Sequence, residues 1–306
     1  MENSSTAVPW ETRAPAVHGT IIAEAVLSIT FVALRLQARR VSFGYLRLDL
    51  SDWLTISALL FALAYFIVVA VGTVFGFGRH IETVTDARRL YILSLLSNVF
   101  DLLALASLKL SILALYRSIF PSSRFHRAVT ALASLVVAWA VANLILGLVL
   151  CIPIESLWDK SIPHAHCLAV SVFQLIMISV HIGIELLILF LPIPSVLRLQ
   201  VSAERKRLII LTFVVGGTGC IVSIARIPVW VLSESADVSW QLVVPALLAA
   251  TELMVGFLAV SFPVYRPLFK KSAYANDTAR DLSVCHLGVM VTDEVELMRP
   301  PNISGW

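Results

Sequence analysis

The chain has 306 residues, of which 58% are hydrophobic and only 14% charged, and its mean hydropathy is +0.88. Soluble domains carry about 25% charged residues, and a water-soluble fold of this composition would expose large apolar patches and aggregate. A soluble enzyme, a disordered chain and a disulfide-knot module are therefore excluded. The apolar runs are long and unbroken, whereas outer-membrane barrel strands alternate apolar and polar residues. What remains is an all-α, multi-pass integral membrane protein whose solvent is the lipid bilayer. The net charge of +3 is a mild excess, and nucleic acid is not an expected partner.

A spanning helix needs about 20 mostly apolar residues, and seven windows qualify. In chain order they are Ala16–Leu36, Trp53–Phe75, Leu90–Tyr116, Ala128–Cys151, Leu168–Leu191, Leu208–Val231 and Trp240–Phe262. They define one membrane domain over residues 16–268, with a short extracytoplasmic segment 1–15 before it. The cytoplasmic tail 269–306 has few helix-period apolar positions and reads as disordered. Met1–Val17 is polar and contains two prolines, unlike a cleavable signal peptide.

Arginine and lysine bias sets orientation. Loop one holds Arg39, Arg40 and Arg47; loop three holds Arg117, Arg124 and Arg127. Loop five holds Arg198, Arg205, Lys206 and Arg207, and Arg266, Lys270 and Lys271 follow the last span. The opposite side is poorer, with Arg79, Arg88 and Arg89 of loop two as its exception. This predicts the N-terminus outside and the C-terminus in the cytoplasm, in the plasma membrane or the endoplasmic reticulum. Asn3-Ser4-Ser5 is a glycosylation sequon on the predicted outer side. Cys151 and Cys167 end outer loop four, where an oxidising compartment allows a disulfide. Cys220, inside the sixth span, reads as packing.

Ionisable groups inside a bilayer cost several kcal/mol and are functional candidates by default. Seven stand out: Glu24, Asp101, Lys109, His181, Glu185, Arg226 and Glu252. At about 1.5 Å per residue, Glu24, Asp101 and Arg226 form an outer layer. Lys109, Glu185 and Glu252 form an inner one, with His181 between. The expected pairs are Arg226 with Asp101, and Lys109 with Glu252 or Glu185. Such pairs offset desolvation, and they also arise simply to fix packing and register. Trp139, Trp158, Trp230 and Trp240 fall toward the outer half, where indole favours the interface and could also wall a ligand pocket.

Several chemistries find no support. Retinal needs a lysine in the seventh span, and the intramembrane lysine is Lys109 in the third. A seven-helix zinc hydrolase needs converging ligands, and only His181 lies deep. His164, His166 and Cys167 make a weak H-x-H-C cluster in loop four. No cofactor and no metal are expected. The ends Tyr116-Arg117 and Phe262-Pro263-Val264-Tyr265 are faint echoes of animal receptor motifs. Gly216-Gly217 marks a candidate break in the sixth span, without the repeat partner a transporter shows.

The segment Lys109–Phe120, KLSILALYRSIF, resembles the third-helix signature of fungal rhodopsin-like integral membrane proteins. Other pieces follow in order. Asp49 and Asp52-Trp53 resemble the acidic entry to helix two, and Gly76-Phe77-Gly78-Arg79-His80 its exit. Cys151-Ile152-Pro153, Trp158-Asp159 and Cys167 resemble the outer loop. Leu191-Pro192-Ile193-Pro194 resembles the end of helix five, and Arg226, Glu252 and Arg266-Pro267-Leu268 complete the likeness over about residues 20–270. Glu185 stands where the family usually has Asp. The family includes pathogenicity-type receptor-like proteins and a compact satratoxin-cluster branch. This chain carries neither the cysteine-rich domain nor the long tail of some receptor-like members, so the compact branch is the closer likeness.

Two functions are expected. In one, the protein is a receptor-like sensor of a small lipophilic molecule, oriented by Asp101, Arg226 and Glu252, with Lys109, His181 and Glu185 completing the site. Its basic inner loops would meet an acidic cytoplasmic signalling partner, such as a G protein, or enzymes of the same pathway. In the other, it is a membrane-embedded cyclase or isomerase of secondary metabolism, with Glu252 or Asp101 as general acid.

Overall fold

The computed structural model describes residues 12–43, 48–80, 84, 86–120, 122–149, 151–157, 162–163, 166–167, 170–194, 203–232 and 238–265. Asn3, the tail 269–306, Trp158, His164 and Arg198 lie outside them. The described residues form seven long helices: α1 Ala14–Phe43, α2 Leu50–Val74, α3 Ala87–Ile119, α4 Ser123–Leu148, α5 Val170–Phe190, α6 Ala203–Leu232 and α7 Val243–Ser261. Among the described residues, six are long and apolar enough to cross a membrane, and α6 contributes the shorter apolar stretch Phe213–Val229.

The helices follow the expected windows; α6 starts five residues early, at Ala203, and two further differences have physical causes. α1 continues past its apolar stretch to Phe43 because Arg35 and Arg39 find acidic partners on the neighbouring helix. α4 begins at Ser123 rather than near Ala128: Ser122 holds an extended N-cap conformation, and a polar first turn precedes the apolar run. Gly216-Gly217 does not break the sixth span. α6 runs through both residues, and a Cβ at Gly216 would stand 2.9 Å from Leu189 Cδ1. The glycine therefore lets α5 and α6 approach closely, which is a common use of small residues in membrane bundles. Gly256 does the same between α7 and α3, where a Cβ would meet Leu108 Cδ1 at 2.9 Å.

Consecutive helices pack on one another, and α7 returns to α1, closing a ring whose middle is bridged by α3 against α7. α3 is the most buried span. It is the shared wall of two apolar cores, one built with α1, α2 and α7 and the other with α4 and α5.

One end of the ring is capped. Gly76 and Gly78 take φ of 107° and 82°, a region open to glycine at little cost. The turn they form binds both flanking segments: Arg13 N–H donates to the Gly78 carbonyl at 3.0 Å, Gly78 N–H to the Ser239 carbonyl at 3.4 Å, and Ser239 Oγ to the Gly76 carbonyl at 2.8 Å. Above it, Trp240 lies between the His80 ring, stacked at 4.5 Å, and the Arg13 guanidinium at 4.1 Å. Next to α4, Cys151-Ile152 pairs antiparallel with His166-Cys167, with Cys151 opposite Cys167. Cys151 is disulfide-bonded, and Cys220 is a free, buried thiol.

Candidate functional site

Six of the seven intramembrane ionisable residues form one connected run. From α3, Asp101 Oδ2 lies 4.0 Å from Arg226 Nη2 of α6. Arg226 Nη1 donates to Glu252 Oε2 of α7 at 2.9 Å. The other oxygen of Glu252 takes the Nε2 of His181, on α5, at 2.6 Å. His181 Nε2 is also 3.5 Å from Glu185 Oε1, one helical turn on, and Lys109 Nζ of α3 stands 3.3 Å from that same oxygen. Ser223 Oγ of α6 donates to Glu185 Oε2 at 2.9 Å.

The run starts and ends on α3 and passes through α5, α6 and α7. Its spacing follows from helix geometry. Asp101 and Lys109 are eight residues apart in α3, as are two positions two turns apart on one face. His181 and Glu185 are an i, i+4 pair. Pro228, which cannot donate a backbone hydrogen bond, lies inside α6 two residues from Arg226. All six side chains are mostly out of solvent, Glu252 most completely at 2% exposure.

The expected two layers are thus a single chain. Lys109 takes Glu185, one of its two foreseen partners. Arg226 holds Glu252 more closely than Asp101, because its long side chain spans the step between them, and His181 joins the halves. Glu24 is not part of the run. It accepts from Thr251 Oγ1 of α7 at 2.6 Å, and its other oxygen has no hydrogen-bond partner among the described residues.

The run separates two cavities. The larger, about 420 Å³, lies between the first half of α3, the second half of α4 and the first half of α5. Leu95, Leu102, Leu144, Phe173 and Ile178 wall it, Asn98, Asn143 and Gln174 add amides, and Asp101, His181 and Arg226 form a polar floor. Trp139 also lines it, with its ring 5.3 Å from that of His181. Trp240, by contrast, belongs to the cap. A smaller cavity of about 80 Å³ lies on the far side, lined by Lys109, Glu185, Glu252, Tyr116 and Cys220. A third, of about 70 Å³, touches Asp101 and Arg226 from the side of Tyr65.

His181, Glu185 and Glu252 place one ligand atom each within 4.8 Å of one another, a spacing that can hold a metal. The same two carboxylates already face Lys109 and Arg226. A divalent ion would add its charge to two fixed cations in contact with its ligands.

A second buried network was not foreseen from the sequence as a site. Arg35, wholly buried in α1, donates from Nε to Asp52 Oδ1 of α2 at 2.8 Å and from Nη2 to Ser51 Oγ at 2.9 Å. Its Nη1 donates to the Val260 carbonyl of α7. Ser51 and Thr55 continue to Ser111 of α3 at 3.0 and 2.8 Å. Arg39 pairs with Asp49 at 3.0 Å and with Asp52 Oδ2 at 3.1 Å. The readable signal was an i, i+4 arginine pair at the end of the first window facing an i, i+3 aspartate pair at the start of the second.

Helices, apolar faces and an interior charge chain together define a multi-pass helical membrane protein. The fungal rhodopsin domain matches residues 34–271, and the chain belongs to that family. A SAT4 family membrane protein of Emericella nidulans is 32% identical over 64% of this chain and 50% of its own length. The polyenoic acids biosynthesis gene cluster protein Ba17b of Metarhizium anisopliae is 26% identical over 80% of this chain and 71% of its own. The fugralins biosynthesis cluster protein 2 of Gibberella zeae is 25% identical over 42% of this chain and 33% of its own. The chain thus spans half of the first of these relatives and a third of the last. No solved structure matches it.

Proposed function

We propose that this protein is a receptor-like sensor of a small lipophilic molecule linked to fungal secondary metabolism, with its N-terminus outside and its C-terminus cytoplasmic. The observation that carries the reading is the cavity of about 420 Å³ whose apolar walls end on Asp101, His181 and Arg226. A concave, mostly apolar pocket with a few convergent polar groups is the usual form of a small-molecule site. Its floor belongs to a chain that reaches α7 and returns to the far half of α3. A molecule touching Asp101 or Arg226 therefore changes the contacts that hold four helices together, which is how a ligand biases a bundle between two packings. Two of the matched relatives carry names from biosynthesis clusters, which supports the metabolic setting.

A second reading, a membrane-embedded cyclase or isomerase, is favoured by Asp101. It lines the cavity, and its Oδ1 has no hydrogen-bond partner among the described residues. A carboxyl there gives a proton to an olefin or carbonyl and takes one back on product formation, with no cofactor consumed. Glu252 is less suited, since Arg226 and His181 hold both of its oxygens and it does not line this cavity.

Metabolite profiles of a strain carrying Asp101→Asn, set beside a deletion strain at matched protein level, separate the two. The sensor reading predicts that the products of a pathway rise or fall together, with their transcripts. One discrete precursor accumulating in both strains would replace it with the enzyme reading.

A further inference from the structure

We propose that the cavity between α3, α4 and α5 takes a ligand that is electrically neutral as bound: a lipophilic alcohol or carbonyl compound, or a carboxylic acid carrying its proton. This rests on the reading of that cavity as a ligand site and names the class of molecule it admits.

The argument is a charge count. The floor residues Asp101, His181 and Arg226 belong to one connected run of ionisable groups: Asp101 and Lys109 from α3, His181 and Glu185 from α5, Arg226 from α6 and Glu252 from α7. α4 brings Trp139 and Asn143, which carry no charge. The next titratable groups are engaged elsewhere or neutral: Glu24 of α1 with Thr251, Tyr65 of α2 with the Ala246 carbonyl at 2.7 Å, and the free thiol Cys220 of α6. Three carboxylates stand against two permanent cations and one imidazole. One proton closes the balance, and His181 Nε2 is placed to hold it, between Glu252 Oε1 at 2.6 Å and Glu185 Oε1 at 3.5 Å.

In that state each charged group has an opposite neighbour, and the cluster as a whole carries none. A ligand anion on Arg226, even one accepting from its unpartnered Nε, would share that cation with Glu252 and Asp101 and leave the cluster with an unmatched negative charge. A ligand cation on Asp101, even at its unpartnered Oδ1, would leave the site with an unmatched positive charge. Either cost is paid among leucines and aromatics, where an unpaired ion is strongly disfavoured. A hydroxyl, a carbonyl or a protonated carboxyl meets the polar floor without upsetting the count.

The test uses the full chain in lipid nanodiscs and the fluorescence of Trp139, with Trp139→Phe as the background to subtract. The probes are brominated alkyl chains of one length with matched head groups: a sulfonamide against a sulfonate, and a tertiary-butyl group against a trimethylammonium. Quenching by the two neutral probes, with each permanently charged partner binding at least about 100-fold more weakly, is the expected result; the factor follows from the cost of one charge at membrane depth. A sulfonate or trimethylammonium probe that quenches within a few-fold of its neutral partner would overturn the proposal while leaving the cavity a ligand site. If no probe quenches Trp139 at all, the cavity reading fails and the neutral-ligand proposal falls with it.

Discussion

Arg226→Met is expected to remove about 3–5 kcal/mol of stability, the usual effect of withdrawing one partner from a buried ion pair. Arg226 is the sole cation within hydrogen-bond reach of Glu252 Oε2 among the described residues, and it is the cation nearest Asp101. Its loss leaves three carboxylates and one lysine along the run, with His181 reaching Glu252 but not Asp101. The effect is read as the melting temperature of detergent-extracted protein followed by size-exclusion chromatography. Arg226→Lys is expected to recover only part of the loss, because a single ammonium cannot span two carboxylates as a guanidinium does. The double variant Arg226→Met/Glu252→Gln is expected to be more stable than Arg226→Met alone, since it removes the uncompensated charge. A double variant less stable than the single one would mean that Arg226 acts through packing rather than through Glu252.

The network around Arg35 carries the second large effect, and its expected order is specific. Asp52→Asn is expected to be the most damaging change, at about 3–5 kcal/mol. It leaves Arg35, with 0% side-chain exposure, beside Arg39 with no carboxylate on the Arg35 side. Arg35→Met is expected to cost less, because Arg39 still pairs with Asp52. Arg39→Met should be mildest, since that side chain is 13% exposed and water can take part of its role. Melting of the three variants in the same detergent gives the order. An equal loss in all three would show that the groups do not act as a network with Asp52 at its centre. The functional interest is that Ser51, Thr55 and Ser111 tie this network to α3 and the Val260 carbonyl ties it to α7. These are the two helices whose other halves carry Asp101 and Glu252, so the two polar clusters share the same pair of rods.

The fold was largely readable because each apolar window is bounded by charge or proline. The helices from Leu50 to Val74 and from Ala87 to Ile119 begin and end within a few residues of the expected spans. Where the boundaries moved, a side chain was the reason: Arg35 and Arg39 extend α1 by binding α2. The identities of the site residues were also legible, since a charge inside a bilayer is conspicuous. Their pairing was not. Depth along a helix orders Asp101, His181 and Lys109, but which acid meets which base depends on helix rotation and on how near the axes come. Gly216 and Gly256 set that approach, and a glycine seen in a sequence reads equally well as a hinge. Arg35 escaped notice because an arginine at the end of a span looks like a flanking cation reaching for the interface. Only the positions of Asp52, Ser51 and the Val260 carbonyl show that it points inward.

The most direct test of the central claim is extraction of the purified protein for small molecules, comparing the natural chain with Met177→Trp. Met177 lines the cavity and is half-buried, so an indole there fills space without removing any member of the charge chain. The account predicts that the natural protein, isolated gently from membranes of a producing strain, carries a small lipophile detectable by mass spectrometry. The Met177→Trp protein, folded to the same level, should lack it. The same lipophile in both preparations at equal amounts would contradict the account, placing the molecule in the surrounding lipid rather than in the cavity.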